Sequence, residues 1–132
     1  MTHLLDANVL IALVVREHEH HERATAWLAV AGDVAVCPIV EGALLRFLIR
    51  MGESPRTAGE VIRSVRSAEP CSWWTDDLSY DEVDLASVRG HREVTDSYLA
   101  ALAERHGGHV ATLVAALADR HPDQCLLVPL QD

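Results

Sequence analysis

Three acidic residues stand in apolar surroundings and together could perform metal-assisted hydrolysis. Asp6 closes the short run His3-Leu4-Leu5. Glu41 lies in Pro38-Ile39-Val40-Glu41-Gly42-Ala43-Leu44-Leu45, and Asp96 in Val94-Thr95-Asp96-Ser97-Tyr98-Leu99. On a helix, Glu41 shares a face with Leu44, Leu45 and Leu48, and Asp96 with Leu99, Ala100 and Ala103, so both point inward. Buried carboxylates are costly unless paired, hydrogen-bonded or bound to a cation. Gathering three of them raises that cost, and a divalent ion removes it. An all-oxygen site suits Mg²⁺ or Mn²⁺, since hard cations prefer oxygen and Mg²⁺ keeps much of its hydration. Such an ion activates water and neutralises a phosphate in the transition state. Each acid also has a local reading. Asp6 could cap the next helix, Glu41 suits the positive end of a helix dipole, and Asp96 could share a cap with Thr95. The intervals of 35 and 55 residues form no regular motif.

These side chains need elements to position them. His3–Asp6 reads as a buried strand and Ala7–Val15 as a helix, followed by a polar loop rich in His and Glu. His20–Val30 has helical spacing, with Ala24, Trp27, Leu28 and Ala31 on or beside one face. Val34–Val36 is a strand. Pro38 fits the first position of a helix that runs to about Met51 and stops at Gly52. Ser54 caps a helix that opens at Pro55 and runs to about Ala68. Pro70–Trp74 reads as a strand, Asp76–Val88 as irregular with room for a short helix, and Thr95–His106 as a helix ended by Gly107-Gly108. His109–Thr112 is a strand, Ala115–Arg120 a short helix and Leu126–Val128 a last strand. Short β-like runs alternating with longer helices predict an α/β fold with a mostly parallel central sheet flanked by helices. Ligands collect beyond the carboxyl ends of such strands, where Asp6, the Pro38–Glu41 turn and the loop after Thr112 all fall.

The 132 residues form one domain, 1–132, on this reading, and 49% are apolar, enough for a core. The formal charge of −9 excludes nucleic-acid binding by bulk attraction and favours a basic protein partner. All eleven basic residues are Arg. The absence of Lys excludes a P-loop and Schiff-base or pyridoxal-phosphate chemistry. It also argues against receiver domains and haloacid-dehalogenase-type phosphatases, whose N-termini resemble this one but normally work with a Lys. Cys37, Cys71 and Cys125 are too widely spaced for a zinc motif or a disulfide framework and read as reduced core residues. The run Ala7–Val15 is too short to span a membrane and lacks the basic stretch of a signal peptide, which points to the cytoplasm.

Several stretches together resemble the PIN domain, and within it the VapC toxins of bacterial toxin–antitoxin pairs. They are Leu5-Asp6-Ala7-Asn8-Val9-Leu10, the segment His18–Leu28 with His21 and Trp27, Glu41 in its helix, Gly90–Ala103 around Asp96, and Gly107–Leu113. The resemblance covers nearly the whole chain and implies a three-layer PIN-like fold. It implies a Mg²⁺- or Mn²⁺-dependent endoribonuclease acting on RNA of the translation machinery. Asp6 and Asp96 would be the main metal ligands, and Glu41 would ligate through water or help activate it. Asn8 would orient Asp6, and Thr112 would bond at the rim. The resemblance also implies inhibition by a cognate antitoxin, a homodimer, and contact with DNA only through the antitoxin. One departure stands out. The family carries an A-T-x-D pattern, and here Ala111-Thr112-Leu113 is followed by Val114. The fourth acid is missing, and Asp119 is a remote substitute. A catalytically weakened PIN-like module that binds antitoxin or RNA is the alternative.

Arg46 and Arg50, four residues apart on the Glu41 helix, could meet RNA phosphates, though a solvated flank explains them too, as it does Arg89 and Arg92. His18, His20 and His21 read as a solvated loop. Trp73 and Trp74 read as core or interface rather than as base-stacking platforms.

Overall fold

In a computed structural model the described residues are 1–69 and 71–130. Five strands, β1 (His3–Leu5), β2 (Val34–Val36), β3 (Cys71–Trp73), β4 (His109–Thr112) and β5 (Cys125–Leu127), form one sheet in the order β3-β2-β1-β4-β5. Every pairing is parallel. Six helices flank it: α1 (Ala7–Val14), α2 (His21–Ala31), α3 (Pro38–Arg50), α4 (Pro55–Ser67), α5 (Val94–Arg105) and α6 (Ala115–Arg120). None is long and apolar enough to cross a membrane among the described residues.

Local chemistry accounts for the helix starts. Asp6 caps α1 through Ala7 N–H, Pro38 and Pro55 occupy the openings of α3 and α4, and the Ser54 hydroxyl accepts from Thr57 N–H. Gly52, at φ 105°, takes the left-handed turn that ends α3. Several boundaries differ from expectation by a residue. The helix expected at His20 starts at His21, and the one expected at Thr95 starts at Val94, where a 3₁₀ turn at His91–Glu93 runs straight into it. The last strand begins at Cys125 rather than Leu126. The strand expected from Pro70 begins at Cys71, Pro70 itself lying outside the described residues. The short helix allowed for within 76–88 is a 3₁₀ turn at Tyr80–Glu82, capped by Ser79.

The apolar composition is spent on the sheet: Leu4, Val36, Val110 and Val128 are fully buried between helix side chains such as Leu44, Leu99, Leu102 and Leu117. Gly108 has no room for a side chain. A Cβ there would lie 2.2 Å from the Thr2 carbonyl oxygen.

The strand order sets the location of the site. The chain moves outward from β1 to β2 to β3, then returns through α5 to β4 on the other side of β1. Right-handed crossovers in both directions place α5 on the face opposite α1–α4. The reversal leaves a crevice at the carboxyl ends of β1 and β4, where a doubly wound sheet binds its ligand. Register places Leu5 opposite Ala111, so Asp6 and Thr112 leave the sheet side by side.

Candidate active site

Asp6 is the centre of this crevice and is only 7% exposed. One carboxylate oxygen accepts from Ala7 N–H at 2.8 Å. The other accepts from the Thr112 hydroxyl at 2.8 Å and the Asn8 amide at 3.2 Å. The support continues outward, since Asn8 Oδ1 accepts from Leu113 N–H at 3.1 Å and Thr112 Oγ1 from Val114 N–H at 3.0 Å. Asn8 and Thr112 thus both hydrogen-bond Asp6, and they also stitch β1 to the turn after β4. Burial pushes the Asp6 carboxyl above its ordinary proton affinity, and the charge of Asp96 adds to that. Three hydrogen bonds, that of Thr112 the strongest, oppose it.

Asp96 arrives from the opposite face, in the first turn of α5, and its side chain is 27% exposed. Residues 90 apart in sequence therefore act on one another electrostatically. Burial also raises the Asp96 carboxyl, against the pull of Arg120 and His121. Arg120 Nη2 donates to Asp96 Oδ2 at 2.8 Å.

Glu41 is half-buried in the first turn of α3. Its Oε1 accepts from the Trp73 indole N–H at 3.0 Å, and its Oε2 is buried without a hydrogen-bond partner among the described residues. Trp73 ends β3, with the Arg66 guanidinium 4.9 Å from its ring centroid. Glu41 is thus directed inward, as its helix face requires, but is tied to the β3 side. Among the described residues no group of three His, Cys, Asp or Glu side chains is gathered closely enough to hold a metal ion by itself.

The donors nevertheless suit a hydrated Mg²⁺ or Mn²⁺. They are oxygens, the Asp96 carboxylate is close enough to oppose the ionisation of Asp6, and Glu41 presents a buried oxygen with no hydrogen-bond partner among the described residues. An ion that retains several waters reaches such ligands with few direct bonds.

The other candidates separate clearly. Arg46 and Arg50 are exposed on α3. Arg46 lies back over Gly42, beside Glu41, and Arg50 lies 5.7 Å from the Phe47 ring centroid. Val114 is 44% exposed and precedes α6 without capping it. Asp119 is exposed, and the residue of α6 that turns to the acids is its neighbour Arg120. Trp74 stacks on His106 at 4.3 Å, and Trp73 is 41% exposed. His21 bonds the Ala12 carbonyl and His18 accepts from His20 N–H, so these histidines hold the α1–α2 connection. The three cysteines are free. Sequence reasoning missed Arg120 and the Trp73–Glu41 bond. The position of Arg120 in the last turn of a short helix was its only sequence signal.

Residues 3–113 match the PIN domain family. The chain is 50% identical over 131 residues to Ribonuclease VapC29 of Mycobacterium tuberculosis, covering 98% of each. It is 36% identical over 129 residues to Ribonuclease VapC39 of the same species, covering 90% of this chain and 93% of the relative. A chain in the crystal structure of VapBC2 from Rickettsia felis bound to a promoter DNA fragment shares the fold, with a TM-score of 0.65, 15% identity and coverage of 96% and 97%.

Proposed function

The chain belongs to the PIN domain family as a VapC-type toxin, and from that premise we propose that it is a metal-dependent endoribonuclease. Its substrate is RNA of the translation machinery, cleaved at phosphodiester bonds. The observation that supports this reading most is the buried Asp6 carboxylate beyond β1, held by Thr112, Asn8 and Ala7 N–H, with Asp96 in the first turn of α5 near enough to act on it.

Asp6 and Asp96 would hold the ion, with Glu41 reaching it through water by its unpaired Oε2. When bound, Mg²⁺ or Mn²⁺ supplies an activated water and neutralises charge on the phosphate. The protein's own contribution is mainly positional. Thr112, Asn8 and Ala7 N–H leave Asp6 no rotational freedom, so its oxygens face the crevice before substrate arrives. Glu41 Oε2 would accept a proton from the attacking water, with Trp73 holding the other oxygen. Arg46 and Arg50 would contact RNA phosphates along α3, giving the local positive charge that a chain of net −9 otherwise lacks.

A cognate antitoxin would inhibit the enzyme, and a basic inhibitory segment matches the acidic crevice. DNA would be reached only through that antitoxin. The working unit would be a homodimer of single-domain chains in the cytoplasm, where its RNA is. The second reading is a PIN-like module that binds antitoxin or RNA without cleaving it. Val114, where the family pattern has an acid, favours it.

Purified chain incubated with RNA and Mn²⁺ distinguishes the two. Cleavage abolished by chelator and by Asp96→Asn supports the enzyme. RNA or antitoxin binding with no metal-dependent cleavage supports the module. Cleavage retained by Asp96→Asn points to a contaminating nuclease and removes the support.

A further inference from the structure

Arg120 closes α6, the helix that begins at Val114. Its Nη2 lies 2.8 Å from Asp96 Oδ2, and its Nη1 3.7 Å from Glu93 Oε2. The side chain is 23% exposed, and its Nε is buried with no hydrogen-bond partner among the described residues. An Arg guanidinium stays charged at any working pH. A fixed cation in contact with a carboxylate competes with any other cation for that carboxylate.

We infer that Arg120 is a built-in counter-cation of the acidic crevice, one that must loosen its hold on Asp96 when a divalent ion binds and so sets the affinity and number of ions held. This inference rests on the metal-dependent reading above. Two further observations fit it. Glu93 is a second acceptor on the same guanidinium, so Arg120 can leave Asp96 without becoming an unpaired buried charge. The helix that carries this cation to Asp96 also lacks an acid at its start, where Val114 stands. Both features reduce the negative charge available to a second ion, and two-ion centres depend on that charge. In this protein α6 therefore favours a single ion.

The test is titration of Mn²⁺ into the full chain by calorimetry, comparing wild type, Arg120→Gln and Asp96→Asn, with thermal melts to verify folding. The expected result is one ion in wild type and weaker binding in Asp96→Asn. Arg120→Gln should bind about tenfold more tightly, the effect of removing one partly screened neighbouring charge. Equal affinity in wild type and Arg120→Gln overturns the inference but leaves the metal reading standing. No binding by wild type overturns both. A measurement on wild type alone guards against a variant that fails to fold. The Arg120 guanidinium ¹⁵N resonance should shift as Mg²⁺ is added, along the same curve as ion binding, and a resonance indifferent to bound Mg²⁺ overturns the inference.

Discussion

Val114→Asp restores an acid where the family pattern has one and at the same time gives α6 a cap. Val114 precedes Ala115 in an extended conformation (φ −99°, ψ 110°) with no side-chain cap. A carboxylate there can accept from the N–H of Ala116 or Leu117, which stabilises by about 1 kcal/mol. Val114 is 44% exposed, so little apolar burial is lost. Against this, the new negative charge repels that of Asp6, Asp96 being already paired with Arg120, and one such repulsion costs on the order of 1 kcal/mol. Without metal the two effects nearly cancel, and Tm should move by no more than about 2 °C. With metal the repulsion is relieved. A tenfold gain in affinity adds about 1.4 kcal/mol at saturation, or roughly 4–6 °C for a chain of this length. The assay is thermal melting of both proteins across a Mn²⁺ titration, followed by RNA cleavage rates, which should rise in the variant. Identical Mn²⁺-induced shifts in the two proteins, with no gain in rate, would show that residue 114 does not face the ion and would refute the reasoning.

Asp6 resists ionisation in the folded state because burial and Asp96 oppose its charge. Its contribution to stability is therefore fully present below the ordinary carboxylate value of 3.8 and is lost as pH rises through the raised folded value. Asp6→Asn keeps a capping side chain and should raise Tm at pH 7 but not at pH 3; a lower Tm at pH 7 contradicts this. Thr112→Val removes the Asp6 donor and the acceptor for Val114 N–H from a fully buried position. It should destabilise by about 1–3 kcal/mol in urea titrations and slow cleavage, whereas unchanged stability would show that water replaces the hydroxyl. Arg46→Ala and Arg50→Ala should each weaken RNA binding without moving Tm, and each should flatten the dependence of log affinity on log salt by about 0.7. An unchanged slope removes that Arg from the RNA path.

The α/β class, the parallel sheet and most element boundaries were legible because their signals are local. Pro38, Ser54-Pro55 and Gly52 mark helix ends by backbone chemistry, and β1 and β4 are short apolar runs between turns. The Asp6–Asn8–Thr112 set was legible through the family pattern, and the structure adds its hydrogen bonds. The α5 start was misplaced because the preceding 3₁₀ turn carries no apolar periodicity of its own. The partners that escaped are those decided by tertiary packing. Nothing in Ser72-Trp73-Trp74 says which indole meets an acid. Nothing in Leu117-Ala118-Asp119-Arg120 says that the Arg rather than the Asp turns inward, because a six-residue helix has no periodicity long enough to orient it.

Strand β1 lies at the middle of the sheet, and its neighbour β4 comes more than a hundred residues later in the sequence. Parallel pairing over that span is slow to form and cannot begin until both partners exist. A growing polypeptide emerging from the ribosome therefore carries Asp6, Glu41 and Asp96 well before it has the wall that aligns them. A fragment ending before Ala111 would possess Asp6, Glu41 and Asp96 yet lack Thr112, whose hydroxyl holds Asp6.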